Sequence, residues 1–486
     1  MSNAADTTDV VVVGGGGAGL AAAIEARAAG AHVVLVEKNP KLGGSTAWSI
    51  GSITATGTPH QLRRGIRDSP ADHFADMPLF AGELAGRDND ELRRILCDEV
   101  PAAFRWLMAL GVRFHGPMPE PPHRQPRMHN VLPNSLSYIH HLGRHARRVG
   151  VDVRLGTRVA ELLPDGGRVR GVRCEDGRRI DARRAVVLAA GDFTNDPELK
   201  LRFLGSAQAL VEGVNATATG DGQKLALALG ARIVNGDLAL GPELRFIAPA
   251  RTTLVRRLPP WPALARTMQW ALEHAPQALL RPVIMGFLTT ALAPSRSLFE
   301  QGALLVDKDG RRFCDELDQP ALALAARPGK AGYILIDGAL ASRFSAWPHF
   351  ISTAPGVAYA YVPDYRRNRP DVYTEAATLD TLAGRLGMAP DVLRAAVGAG
   401  ATAVRTAPFI ALGPVRPVFV HNEGGLAVNR DHRVLGPNDE PIAGLFAAGS
   451  TGQGGLLLKG HGHHLAWAFV SGRRAGRRAA ADTSEP

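Results

Sequence analysis

The chain has 486 residues, 45% hydrophobic and 21% charged, the balance of a globular protein large enough for two or more domains. Its net charge of +10 comes almost wholly from arginine, but the arginines are scattered and few aromatics lie among them, so nucleic acid is not an expected partner. Three cysteines, Cys97, Cys174 and Cys314, exclude a disulfide framework and a four-cysteine iron–sulfur cluster within the chain.

In chain order, the first predicted element is a buried parallel strand at Val10–Val13. Gly14, Gly16 and Gly19 follow with G-x-G-x-x-G spacing, then a helix-forming run, "LAAAIEARAAG", that stops at Gly30. A second strand, "HVVLV", delivers Glu37. Gly14 suits a tight turn, Gly16 lets backbone approach a pyrophosphate, and Gly19 lets helix and sheet close up. The helix start offers unpaired N–H groups to phosphate, and Glu37 can accept from a ribose 2′-hydroxyl. Strand, glycines, helix, strand and acid in this order predict a dinucleotide site without choosing between NAD and FAD. The N-terminus shows no signal peptide, and no apolar run of about 18 residues spans a membrane. A reduced cytoplasmic location is expected, with membrane association confined to a peripheral contact.

Residues 39–57, "NPKLGGSTAWSIGSITATG", resemble the segment after the ribose acid in the fumarate reductase and succinate dehydrogenase flavoprotein superfamily. That superfamily includes the 3-ketosteroid Δ1-dehydrogenases, which this chain resembles most in kind. Later blocks follow in family order: "TRVAELL" (157–163), "AVVLAAGDFTNDPEL" (185–199), "ATGDGQKLALALGA" (218–231) and "GGLAVNRDHRVLGPNDEPIAGLFAAGS" (424–450). The resemblance implies an α/β protein with a discontinuous Rossmann-like FAD domain, 1–240 and 405–486, and an inserted α+β cap, 241–404. It implies FAD held by Gly14, Gly16, Ala18, Gly19, Glu37, Lys38, Gly44, Ser45, Thr46, Gly51 and Ser52. Further contacts are implied for Val159, Gly191, Asp221, His421, Gly449, Ser450, His464 and Leu465. Ser45 and Thr46 stand in the region where a histidine carries the covalent flavin link of succinate dehydrogenases, so the FAD is expected to be non-covalent.

The first part of the cap, 241–294, mixes apolar residues, tryptophans and arginines. It reads as a membrane-surface element over 250–294, as an apolar substrate entrance, or as helices packing the cap's own core. There is no second glycine fingerprint for a nicotinamide cofactor. Electrons must therefore pass to or from an external partner: a quinone, oxygen, an electron-transfer protein or a second organic substrate.

Near the C-terminus, "GGLLLKGHGHHLAWAF" (454–469) corresponds to the superfamily's last loop and helix start, aimed at the flavin's pyrimidine edge. His461 and His464, three apart, are expected to share a face, with His463 turned elsewhere. No carboxylate or cysteine lies nearby in sequence, so no metal site is expected.

The chain departs from fumarate reductases where they hold and protonate their substrate. Pro320 stands at the proton-donor arginine, "SRSLF" (295–299) replaces a T-E-x-x-R cluster, and Lys459 stands for the dicarboxylate-binding arginine. Of two successive histidines only His421 remains, beside Val420. From ketosteroid dehydrogenases it keeps the carbonyl-binding glycine as Gly462, but Leu458 takes the tyrosine place. The expected reaction is α,β-desaturation of a small apolar carbonyl compound, a cyclic ketone or ketosteroid-like molecule. Gly462 with His461 or Lys459 would polarise the carbonyl, and Tyr359 or Tyr361 would remove the α-proton, Tyr138 and Tyr365 being further candidates. The alternatives are an enoate reductase running the reverse reaction and a flavin-binding subunit with no substrate of its own.

Overall fold

Asp6–Val13 is an inner strand of an eight-stranded sheet, with Val33–Val36 on one side and Arg179–Leu188 on the other, all parallel. The register sets Val10 beside Val33 and Ala185, and Val13 beside Val36 and Leu188. The valines are thus buried on both faces, which is what a parallel strand covered by helices demands. The computed structural model describes residues 6–249, 254–290, 292–354, 358–399 and 404–482. Asp152–Arg154 extends the sheet past Val33–Val36, and Pro441–Ala447 returns from the far end of the chain to pair in parallel with Arg179–Leu188. Both ends of the chain therefore build one α/β nucleotide-binding fold.

The last helix, His463–Ala480, crosses the first, Gly17–Ala28, at backbone contact. A Cβ on Gly472 would lie 2.3 Å from the Ala18 carbonyl oxygen, and one on Gly476 2.1 Å from that of Ala22. These two glycines are four apart and share one helix face, so the crossing admits no larger residue at either. The crossing anchors the helix start at Gly462 beside the strand Ser52–Thr54. There the Thr54 N–H donates to the Gly462 carbonyl at 3.3 Å and the Thr54 hydroxyl to the His461 carbonyl at 2.5 Å.

A second sheet of six strands, Glu212–Gly213, Glu243–Phe246, Leu304–Asp307, Gly332–Ile336, Tyr373–Ala376 and Phe409–Phe419, has its own core. Phe409–Phe419, which falls within the segment 405–486, pairs with four strands of this sheet, one of them Glu212–Gly213 from the segment 1–240. Its Ile410, Leu412 and Val415 pack with Ile334 and Ile336, which draws the strand to this side. The stretch 241–294 contains three helices, Leu254–Arg257, Pro262–His274 and Gln277–Leu288, while residues 250–253 and 291 of it lie outside the described residues. Among the described residues no helix is long and apolar enough to cross a membrane.

Candidate active site

A cleft opens just beyond the C-terminal ends of the parallel strands, at Val13, Val36, Ala189 and Ala448. Thirteen residues expected at a cofactor line it: Gly14, Gly16, Ala18, Glu37, Lys38, Gly44, Ser45, Thr46, Val159, Gly191, Asp221, Gly449 and Ser450. Asn215, Thr217 and Arg158 line it too and were not anticipated. Gly19, Gly51, Ser52, His421, His464 and Leu465 lie off this cleft. Gly19 packs on the Gly14 carbonyl, and the Gly51 carbonyl accepts from the Tyr138 hydroxyl at 3.0 Å. The Ser52 hydroxyl donates to Asn130 at 2.6 Å, and Leu465 belongs to the core.

The donor set suits a dinucleotide. The helix Gly17–Ala28 begins at the cleft without a side-chain cap, leaving its start open to an anion. Around a Cβ built on Gly16 the nearest atom is the Gly43 carbonyl oxygen at 3.8 Å, so a side chain there would fill cleft rather than clash with protein. Glu37 is buried and oriented, its Oε2 accepting from the Gly15 N–H at 2.7 Å and its Oε1 from the Asn39 N–H at 2.8 Å. Asp221 bridges Lys38 at 3.1 Å and Arg158 at 3.0 Å. Burial alone would raise its pKa, but the Arg158 hydrogen bond and the Lys38 charge hold it below the ordinary value. Gly16→Val should give a folded protein that purifies without flavin, checked by visible absorption against circular dichroism. A variant as yellow as the parent would move the pyrophosphate away from this turn.

Around the histidine-rich turn, three neighbouring histidines point three ways. Gly462, at φ 88°, is the N-cap of the last helix and supplies no capping side chain. His461 lies before the helix, and its N–H and Nδ1–H both donate to Glu120 Oε1, at 2.7 and 2.5 Å. That bond fixes the tautomer and leaves Nε2 of a half-exposed ring as the acceptor nitrogen. The expectation that His461 and His464 share a face is therefore corrected, because helical spacing does not apply before the cap.

His464 turns the other way. Its ring lies 3.8 Å from that of His421, and both face buried Glu423, with Nε2 to Oε1 distances of 3.9 and 3.5 Å. The Lys459 ammonium stands 3.6 Å from the same oxygen. Oε2 is satisfied by the Gln453 amide at 2.8 Å and the Leu458 N–H at 3.1 Å. Burial by itself would raise the Glu423 pKa, but the facing His421 and His464 imidazoles more than offset it and hold the group well below the usual carboxylate range. Glu423 Oε1 and His464 Nε2 are buried and both lack a hydrogen-bond partner, so the group is held by charge rather than by close hydrogen bonds.

His463 points into the protein, where its Nδ1–H donates to the Lys459 carbonyl at 2.6 Å. Its Nε2 must then accept, from His73 Nε2–H at 3.2 Å. His123 completes this buried trio, its Nδ1 accepting from the Arg127 guanidinium at 2.8 Å. That bond puts the His123 proton on Nε2, so the ring has no lone pair to give a metal ion there. At the His421–Glu423–His464 group the Lys459 charge already stands where a cation would sit. The chemistry of both clusters is that of hydrogen bonding and proton placement. Sequence spacing could not reveal Glu120, which sits in the proline-rich loop 116–127. Glu423 was visible two residues after His421, but nothing in the sequence showed it turning inward.

The four tyrosines have aromatic, cationic or buried surroundings of their own. Tyr359, on Ala358–Ala360, packs against Trp347 and Phe350 at 5.1 and 4.9 Å between ring centroids. The Tyr361 ring lies under the Arg281 guanidinium at 5.1 Å. Residues 355–357, which precede them, lie outside the described residues. Tyr138 and Tyr365 are fully buried, and burial pushes both hydroxyls up, away from what a base needs.

The family model "FAD binding domain" matches residues 9–255 and 270–457. An NADH:fumarate oxidoreductase of Klebsiella pneumoniae (strain 342) is 28% identical over 97% of this chain, which spans only 47% of that protein's length. The fold is similar to a flavocytochrome c3 fumarate reductase in its open conformation, with a TM-score of 0.72 and 26% identity over 98% of this chain and 78% of that one. It is also similar to a 3-ketosteroid-Δ4-(5α)-dehydrogenase from Rhodococcus jostii RHA1, with a TM-score of 0.60 over 98% and 97% of the two chains. At 23% identity that second likeness speaks for the fold alone. The chain belongs to the FAD binding domain family and is an FAD-dependent oxidoreductase.

Proposed function

We propose that the enzyme desaturates the Cα–Cβ bond next to the carbonyl of a small apolar compound, a cyclic ketone or a ketosteroid-like molecule. The observation that carries this reading is the His461–Glu120 pair beside the uncapped Gly462 turn: a carboxylate-oriented imidazole next to free backbone donors. FAD, when bound, supplies the two-electron acceptor for the hydride that leaves the β-carbon. The residues lining the cleft would hold it, with the pyrophosphate at Gly14–Gly16 and a ribose at Glu37. Gly462 N–H and the Lys459 ammonium polarise the carbonyl, stabilising developing negative charge by roughly 3 kcal/mol per well-placed donor. His461 Nε2 takes the α-proton, and Glu120 stabilises the imidazolium that results. This assignment moves the base from Tyr359 to His461, whose free nitrogen already stands at the turn. The electrons leave through an external acceptor, a quinone, oxygen or an electron-transfer protein.

The same groups can run the reaction in reverse, with the His461 imidazolium giving a proton to the α-carbon of an enone or enoate. The reductase named among the relatives favours that second reading. Fumarate itself suits it poorly, since Pro320 and Val420 stand where a proton donor and a substrate ligand are needed. Anaerobic mixing with a panel of cyclic ketones and ketosteroids separates the two. Bleaching of the flavin band near about 450 nm supports desaturation. Reoxidation of dithionite-reduced protein by enones alone would reverse the direction. Tyr359→Phe should bleach within about twofold of the parent rate, and a loss of roughly 10²-fold would return the base to the cap.

A further inference from the structure

The helices Pro262–His274 and Gln277–Leu288 leave large apolar side chains uncovered. Trp261 is 64% exposed, Trp270 62%, Leu279 71% and Val283 56%. Among the described side chains of these two helices only Ala265 and Met285 are buried. Single apolar residues on a surface are ordinary, but this many large ones on two consecutive helices are not. Trp48, 52% exposed, extends the group, since Arg256 lies 5.9 Å over its ring and donates to its carbonyl at 3.4 Å.

Positive charge surrounds the group. Residues 254–290 carry Arg256, Arg257, Arg266 and Arg281 against one acid, Glu273; Arg281 is bridged to Asp364 at 2.6 Å, and Arg256 and Arg257 also have partners within the protein. Exposed Arg63 and Arg64 share a hollow with Leu272 and Glu273, which brings two more guanidinium groups to the edge.

We infer that these two helices dock on an anionic lipid surface. Exposed tryptophans and leucine supply the apolar contact at headgroup depth, and the arginines meet lipid phosphates. The helices, of 13 and 12 residues, are too short to span a bilayer and suit lying along its surface. A second copy is the poorer occupant, because a two-fold contact would set the arginine rims against each other. Docking stands on this surface alone. Only its consequence, delivery of electrons to a lipid-soluble acceptor, rests on the proposed function.

The test is co-sedimentation of the FAD-loaded protein with phosphatidylcholine vesicles, with and without phosphatidylglycerol. Capture should need the anionic lipid and weaken by about tenfold or more as salt is raised to physiological strength. The pair Trp261→Ser and Trp270→Ser should weaken it by about tenfold or more, with flavin absorbance and Tm unchanged. Absent capture, equal capture by neutral vesicles, or equal capture of the double variant would overturn the inference. So would a dimer in light scattering that the double variant separates, since the occupant would then be a second copy. Vesicle binding is read without turnover, so a failed substrate panel leaves it intact.

Discussion

His461→Ala is expected to slow substrate-dependent flavin bleaching by about 10²–10⁴-fold while leaving the flavin spectrum in place. The ring is fixed by one bond, Nδ1–H to Glu120 Oε1 at 2.5 Å, so the other nitrogen has a single direction and a single role. Alanine removes the proton acceptor but leaves Gly462, Lys459 and the Glu423 cluster to bind and polarise a carbonyl. Glu120→Gln tests the same pair from behind. An amide keeps the shape and loses the charge that stabilises the imidazolium, so bleaching should slow by roughly tenfold or more, with a shifted pH profile. Stopped-flow absorbance measures both. Parent-like rates in His461→Ala would take the α-proton away from this turn.

The second large effect is on stability. Burial pushes His463 and His60 down to about 4, His432 and His129 to about 3, and His123 to about 2; neighbouring positive charge adds to the shift at His60, His432 and His123, while Glu120 opposes it at His463. These rings are neutral in the folded state. Above pH 6.5 the unfolded chain is neutral there too, and the groups make no pH-dependent difference. Below it the unfolded chain binds protons that the fold refuses, so stability falls with pH, by about 1.4 kcal/mol per unit for each such histidine until its folded pKa is reached. Glu423, held low, acts only further down, below the ordinary carboxylate range. The melting temperature should therefore drop by roughly 5–10 °C between pH 7.5 and 5.5. A flat profile would mean that the trio at His73, His123 and His463 is open to water or already charged. His432→Asn, away from the turn, should flatten part of the slope without changing bleaching.

The nucleotide-binding half was legible because its signals are local. Val10–Val13, the glycine turn and Glu37 are contiguous, and the residues they predict do line the cleft. The proposed acid–base pair and the buried histidine trio were not legible, because they are assembled across the chain: Glu120 meets His461 over 341 positions, and His73 meets His463 over 390. Periodicity misled at His461 for a definite reason. Gly462 is the cap, and the three-residue spacing that unites side chains inside a helix says nothing across its start. The pairing of Phe409–Phe419 was not legible either, because its partners, from Glu212–Gly213 to Tyr373–Ala376, are scattered along the chain and no local feature announces a partner.

The most direct measurement is α-proton exchange, followed by NMR, for a ketone that bleaches the flavin, incubated with oxidised enzyme in D2O. The His461–Glu120 account predicts enzyme-dependent loss of the α-proton signal in the parent and its persistence in His461→Ala. Exchange as fast in His461→Ala as in the parent, or bleaching with no exchange-competent base at the turn, would contradict it.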